Sequence, residues 1–404
     1  MITEEQKQTI KATVPVLREH GVTLTSHFYQ RMFTHNPELK NIFNMGNQQK
    51  GKQQLSLALA VLAYAENIDN PAVLLPRVDS IGQKHTSLDI RPEHYIIVGR
   101  HLIASIAEVL GDAATPAILE AWTVAYNQLA AIMSGYEAEL YKKQVDKKGG
   151  WTGWRPFIVK NKVEESAEIT SFYLYPADGG AIADFIPGQY ISVRLFIPQL
   201  NLLQPRQYSI SSAPGKEYYR ISVKKENANT DNPDGLVSNR LHDYLETGHT
   251  IEVSAPAGGF NLNFKSSAPV VFISGGVGQT PLISMLESLI DSNSGRAKTW
   301  VHGARNKEVH AFRDKIAGWK EADPELESFV FYNTPDLSDK EDGVLEGILD
   351  INHLSEKIIK PETEYYLCGP AVFIEKNYKD LLENGVSKEN IFYEEFGPAV
   401  LNLS

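Results

Sequence analysis

The stretch "SIGQKHTSLDI" (80–90) carries His85, a side chain able to bind a metal through one ring nitrogen while the other donates a hydrogen bond. No cysteine or second histidine stands near it at metal-ligand spacing. The chain's one cysteine, Cys368, excludes an intrachain disulfide and a cysteine-built zinc or iron–sulfur site. Taken alone, His85 reads more readily as a hydrogen-bonded core histidine than as a ligand. Gln53, Tyr95 and Glu137 are the other polar residues of this half of the chain whose placement calls for a reason.

That reason lies in the helices that must carry them. Residues at i, i+3, i+4 and i+7 share one helix face. Leu74, Val78, Ile81, His85 and Leu88 make one such stripe, with the histidine on its apolar side. Gln53 extends a stripe of Leu57, Ala60, Val61 and Tyr64. Pro92 suits a first helical position, and Tyr95, Val98, Leu102, Ile106 and Val109 line up behind it. Trp122, Tyr126, Leu129, Met133 and Glu137 form a fourth stripe. A buried polar group left unpaired costs roughly 1–3 kcal/mol, and a lone charge costs more. Four such residues in one helical region predict a shared polar centre rather than four separate local pairings.

The 404 residues are enough for two to four domains. A composition of 42% hydrophobic and 22% charged residues fits a globular protein with ample core. The net charge of −11 argues against a sequence-independent nucleic-acid binder, which needs a positive surface. The opening "MITEEQKQTI" has neither the basic nor the apolar region of a secretory signal, and no apolar run approaches the ~18 residues of a membrane span. A cytoplasmic address is expected. Helical periodicity runs to about residue 145, and "KKQVDKKGGWTGW" (142–154) reads as a linker. Short β-branched and aromatic runs with Gly/Pro turns follow, such as "GQYISVRLFI" and "YYRISVKKE", and predict a small antiparallel barrel. From Pro269, strands alternate with helices, which predicts a parallel, doubly wound sheet.

Several motifs sit in these later regions. "SGGVGQTP" (274–281) joins a buried strand to a helix. Its glycines let backbone approach a ligand and the helix start favours an anion, although it is neither a P-loop nor a strict Gly-x-Gly-x-x-Gly fingerprint. A tight strand–helix turn explains one glycine there, less well Gly275, Gly276 and Gly278 together. "RQYSISSAP" (206–214) offers a base, an aromatic ring and a hydroxyl along one strand, as a flavin nucleotide would use, yet alone it is an ordinary strand motif. "VHGARN" (301–306) ends the second strand, where an acid favours NADH and an arginine such as Arg305 accepts a 2′-phosphate; the residues leave this choice open.

Residues 1–148 resemble the globin domain of the bacterial flavohaemoglobins, on "FYQRMFTHNPELKNIFNM" (28–45) and "QKHTSLDIRPEHYIIVG" (83–99). The resemblance makes His85 the proximal ligand of a haem b iron and implies catalytic roles for Tyr29, Gln53, Tyr95 and Glu137. Tyr29 and Gln53 would face the distal side, with Tyr95 and Glu137 bonded around the histidine. Phe43, Leu57 and Lys84 would line the haem pocket. Without the family pattern, Tyr29 is a plain core aromatic. Residues 149–265 resemble the FAD-binding barrel of the ferredoxin-reductase family, through "PGQY" (187–190), "RQYSISSAP" and "GLVSNRLHD" (235–243). This implies FAD contacts at Tyr190, Arg206, Gln207, Tyr208 and Ser209. Residues 266–404 resemble that family's NAD(P)-binding α/β domain. Gly275, Gly276, Val277, Gly278, Gln279 and Thr280, with Cys368 and Gly369 of "YYLCGP", would hold NAD(P)H. The terminal "YEEFGP" would set Glu394, Glu395, Phe396, Gly397 and Pro398 beside the flavin. The implied chain is a multidomain nitric oxide dioxygenase: an all-α globin domain, an antiparallel FAD barrel and a parallel-sheet nucleotide domain. It passes electrons from NAD(P)H through FAD to haem, with O2 and NO as small-molecule partners. Nitric oxide detoxification is the implied task. A reductase of oxygen, peroxide or ferric iron and an oxygen or NO sensor are the alternatives. A monomer without nucleic-acid partners is expected, and a lipid in the haem pocket is left open.

Overall fold

The computed structural model describes residues 2–228, 233–334 and 343–396. The chain divides into two compact units: Met1–Trp154 with Arg194–Arg206, and Arg155–Val193 with Gln207–Ser404.

Among the described residues, seven α-helices lie in the first unit: α1 (Glu4–Ala12), α2 (Val14–His35), α3 (Met45–Gln49), α4 (Lys52–Glu66), α5 (Leu75–Ser87), α6 (Pro92–Leu110) and α7 (Pro116–Asp146). Their starts follow local chemistry. Thr3 and Gln6 form a reciprocal cap on α1, and Thr115 precedes Pro116 at the start of α7. Pro92 opens α6 as its position predicts, and His94 Nδ1 accepts from the Arg91 N–H at 2.8 Å. Leu74 falls in a 3-10 turn just before α5 rather than in the helix, because Pro76 sits in the first turn and fixes the helix start behind it. One core gathers Ile10, Leu24, Tyr64, Ile106 and Trp122. A second gathers Phe28, Tyr29, Met32, Phe33, Leu39 and Leu102.

Two tyrosines bring α5 and α6 close to α7. A β-carbon on Gly82 would stand 2.9 Å from the Tyr136 ring, and one on Gly99 only 2.3 Å from the Tyr126 ring. Tyr136 donates to Asp79 on α5, and Tyr126 donates to the Tyr95 carbonyl on α6 at 2.6 Å. Both contacts lie within one turn of a residue that the stripes single out.

The second half of the chain begins with strands β1 (Arg155–Glu164), β2 (Ile169–Pro176), β3 (Tyr190–Ile197), β4 (Leu202–Ser209) and β5 (Tyr219–Lys224), then helix α8 (Leu236–Tyr244) and β6 (Thr250–Val253). The sheet order is β4-β3-β6-β1-β2-β5, with antiparallel registers such as Phe157 opposite Pro176 and Phe172 opposite Ile221. An isolated antiparallel bridge between Ile210 and Ile221 joins the two ends of that order, so the sheet closes into the expected barrel.

A parallel sheet follows: β7 (Val270–Gly275), α9 (Gln279–Asp291), β8 (Lys298–Ala304), α10 (Arg313–Ala322), β9 (Leu326–Tyr332), β10 (Val344–Glu346), α11 (Ser355–Ile358), β11 (Glu364–Gly369), α12 (Ala371–Glu383) and β12 (Ile391–Glu395). Its order is β10-β9-β8-β7-β11-β12. Strands β7 and β11 are buried along their whole length, as a two-sided parallel sheet requires. Within this unit, Ser284 on α9 donates to the Ser212 carbonyl at 2.7 Å, and Glu287 pairs with Arg220 of β5 at 3.0 Å. The helix that opens at the glycine loop is thereby docked on the barrel.

Candidate functional site

Three of the four singled-out polar residues meet in the helical unit. His85 Nδ1 lies 2.7 Å from Glu137 Oε1 and 3.0 Å from the Tyr95 hydroxyl, which itself donates to the same carboxylate oxygen at 2.6 Å. Glu137 is 2% exposed on α7, so its carboxylate is satisfied by these two donors rather than by water. An ionised carboxylate only accepts, which places the imidazole proton on Nδ1 and leaves the lone pair of the neutral ring on Nε2. That nitrogen has no hydrogen-bond partner among the described residues, and the side chain remains 31% exposed. Burial and the Glu137 hydrogen bond both push the Tyr95 pKa upward, so its hydroxyl keeps its proton.

Gln53 does not join this centre. It lies on α4, half-buried, with Oε1 buried and unbonded. One turn further along α4, Leu57 packs on the cluster that holds Phe33, Leu102 and Tyr29, and the Tyr29 ring lies 5.8 Å from that of Phe43. Burial raises the Tyr29 pKa, and the Gln48 side chain beside its hydroxyl opposes that rise. Gln48 and Gln54 are the residues missed by the stripe argument. Gln48 stands on a single-turn helix too short for periodicity to show a face. Gln54 lies about 100° around α4 from the residue that the stripe selects. The run "GNQQKGKQQ" (46–54) is the only signal available in the sequence, and it does not say which glutamines are buried. Lys84 is half-buried on α5, next to His85.

Around the barrel strands, Tyr190 opens β3, and a β-carbon on Gly258 would lie 3.0 Å from its ring. Gly258 has φ +113°, so this close approach needs glycine on both counts. Gln207 Nε2 donates to Ser192 Oγ at 3.1 Å, Ser209 is buried, and Tyr208 is half-buried on the same strand. Arg206 Nη1 donates to the Pro205 carbonyl at 2.6 Å. Glu394 and Glu395 end β12 and Phe396 follows, 43% exposed. Gly397 and Pro398 lie outside the described residues.

In the parallel sheet, the connection order reverses between β7 and β11, and ligands bind such sheets at the carboxyl ends of the strands flanking that point. Gly276–Gly278 form a 3-10 turn there, with α9 starting at Gln279. A β-carbon on Gly278 would stand 2.2 Å from the Cys368 carbonyl oxygen. Those on Gly275 and Gly369 would stand 3.1 and 2.7 Å from the Phe373 ring. Thr280 Oγ1 donates to the Val277 carbonyl at 3.1 Å, and the buried Gln279 amide makes no hydrogen bond through either atom. Cys368 is fully buried, and burial with Glu394 nearby pushes its thiol pKa well up.

The fold and these sites define a class: a globin joined to a flavin- and nicotinamide-type reductase. Family models match in the same order, the globin at residues 26–133, the oxidoreductase FAD-binding domain at 156–262 and the oxidoreductase NAD-binding domain at 272–379. A flavohemoprotein of Bordetella parapertussis is 49% identical over 98% of this chain and 99% of its own. A flavohemoglobin structure from Malassezia yamatoensis, with bound FAD and heme, superposes with a TM-score of 0.85 at 27% identity over 98% of this chain and all of its own. The FAD/NAD-binding domain of a nitric oxide dioxygenase from Vibrio cholerae is 38% identical, with a TM-score of 0.55 over 60% of this chain and 99% of that one. The chain belongs to the flavohemoproteins, and it is an oxidoreductase.

The residues present fit those cofactors. A histidine with Nδ1 engaged and Nε2 open suits an axial haem ligand. Among the described residues no cluster of three or more His, Cys, Asp or Glu could hold a bare metal ion. Among the described residues, too, no helix is long and apolar enough to cross a membrane.

Proposed function

We propose that this flavohemoprotein is a nitric oxide dioxygenase, turning nitric oxide and oxygen into nitrate with electrons from NAD(P)H. The observation that carries the reading is the Glu137–His85–Tyr95 cluster of the globin unit, joined in one chain to reductase domains. A globin that only stores oxygen needs no such electron supply. The likeness of the reductase half to that of a nitric oxide dioxygenase from Vibrio cholerae supports the same reading.

Haem would supply the iron at which oxygen is activated, FAD the exchange between paired and single electrons, and NAD(P)H the electrons. His85 would hold the iron through Nε2, and Glu137 would make that nitrogen a stronger donor by drawing on the Nδ1 proton. Tyr95 fixes the carboxylate so that it cannot turn away from the ring. Tyr29 and Gln53 would donate to negative charge arising on the distal side, where the Tyr29 side chain and Gln53 Oε1 are buried. Phe43 and Leu57, packed on the Tyr29 cluster, would line the haem pocket, and Lys84 would flank its proximal side. On the reductase side, Tyr190, Arg206, Gln207, Tyr208 and Ser209 would hold the flavin, with Glu394, Glu395 and Phe396 from the terminal strand. Gly275 to Thr280 would receive the nucleotide phosphates at the start of α9, and Cys368 and Gly369 would line the nicotinamide side. The domains are assigned as 1–148, 149–265 and 266–404, in a cytoplasmic monomer.

The test uses anaerobically purified protein given NADH, then oxygen and nitric oxide. Nitrate should form far faster than with a haem-free control. Oxygen consumption without nitrate would replace this reading with an NAD(P)H oxidase or peroxide reductase.

A further inference from the structure

Four residues of the helical unit close a circuit around the Tyr29 hydroxyl. Thr25 and Tyr29 lie four residues apart on α2 and so share a face. Thr25 Oγ1 donates to the Gln54 carbonyl at 2.8 Å, which fixes the start of α4 against α2. Gln54 Nε2 donates both to the Gln48 carbonyl at 3.1 Å and to Gln48 Oε1 at 3.0 Å. Gln48 is 8% exposed, and its backbone N–H is tied to the Asn44 carbonyl at 3.1 Å. Its side chain in turn stands beside the Tyr29 hydroxyl.

The amide orientation follows from this arrangement. Gln54 presents a donor, so the atom it meets on Gln48 must be the carbonyl oxygen. The NH2 group of Gln48 is then the only part left over, and its Nε2 is buried and unbonded. A buried amide donor without a partner is costly, and the phenolic oxygen of Tyr29, beside this side chain, is able to accept from it. A hydroxyl that accepts from Gln48 keeps its own hydrogen for a different acceptor. On the distal side, that acceptor is the ligand.

We propose that Gln48, locked in orientation by Gln54, is a positioning residue that donates to the Tyr29 oxygen and so aims the Tyr29 hydrogen at a distal ligand. On the same reading Gln53 of α4 would meet the ligand directly, whereas Gln48 acts through Tyr29. The inference rests on the reading of Tyr29 as a distal residue of a haem pocket.

A mutant cycle on the ferrous, haem-loaded full-length protein tests it, with the oxygen dissociation rate and the C–O stretching frequency of the carbon monoxide complex as readouts. Gln48→Leu should speed oxygen release roughly 3- to 10-fold, the range of one lost hydrogen bond, and move the C–O stretch upward. In a Tyr29→Phe background the same substitution should change neither readout appreciably. The isosteric Gln48→Glu, which keeps the size but accepts instead of donating, should reproduce the faster release and so separates hydrogen bonding from packing. Equal effects in both backgrounds would overturn the proposal, because Gln48 would then act without Tyr29. So would a normal rate and stretch in Gln48→Leu while Tyr29→Phe alone alters both; that result leaves the distal reading of Tyr29 standing. If Tyr29→Phe itself changes nothing, both the distal reading and this inference fall.

Discussion

Glu137 and His85, fifty-two residues apart and on different helices, share a hydrogen bond of 2.7 Å between Oε1 and Nδ1. The contact sits where Gly82 lets α5 approach the Tyr136 ring of α7, so helix packing sets its length. A carboxylate there strengthens the opposite nitrogen as a ligand, and partners of this kind change affinity or activity by roughly 10- to 100-fold when removed. Glu137→Gln should therefore lower the iron–histidine stretching frequency of the ferrous protein and cut nitrate turnover by about that factor. His85→Ala should prevent stable haem binding altogether. Resonance Raman spectra settle the first point and the Soret band the second; an unchanged iron–histidine stretch in Glu137→Gln would show that the carboxylate does not tune the ligand.

Tyr29→Phe removes a donor worth about 1–2 kcal/mol from a site where water cannot replace it. Oxygen should then leave the ferrous protein about 5–30 times faster. Stopped-flow displacement by carbon monoxide measures this directly. Burial raises the Tyr29 pKa, so the hydroxyl stays protonated and the wild-type off-rate should be flat between neutral and mildly alkaline pH.

The sequence shows much of this site because helices impose a period. His85, Tyr95 and Glu137 each occupy a stripe, and the cost of burying a carboxylate alone requires that something meet it. Periodicity cannot say which stripes face each other, so Gln53 groups with the other three by pattern although it takes no part in their hydrogen bonds. Gln48 is invisible to the same argument, since α3 spans only Met45–Gln49 and makes little more than one turn. The barrel and the parallel sheet are legible from their strand texture. The closure of the barrel through Ile210 and Ile221 is not, because a single bridge leaves no pattern in composition.

Gly278→Ala should damage the nucleotide half alone. The added β-carbon would stand 2.2 Å from the Cys368 carbonyl oxygen and 2.7 Å from the Gly369 nitrogen. These are backbone atoms of a central strand and cannot swing aside as a side chain would. Overpacking of this kind costs ~1–3 kcal/mol. The expected variant has a normal haem spectrum but slow flavin reduction by NADH, and its reductase transition melts several degrees lower. Wild-type rates of flavin reduction would mean that the turn is not under steric control.

His302 gives the reductase half a dependence on acid. The residue is fully buried in β8, with Nδ1 2.7 Å from Ser274 Oγ and its ring stacked on His310 at 4.7 Å between centroids. Burial, and then the neighbouring His310, hold its pKa well below the ordinary value. In the unfolded chain the same imidazole titrates near ~6.5. Below that pH the unfolded state takes up a proton that the folded state refuses, so stability is complete above it and falls as the solution is acidified. The slope reaches up to ~1.4 kcal/mol per pH unit for one group, and continues down to the depressed folded value. The melting temperature of the reductase transition should therefore drop between pH 7 and pH 5. His302→Gln removes the titrating group, so its curve should be flatter over that range whatever its stability at pH 7. Parallel curves for the two proteins would assign the acid sensitivity to other groups.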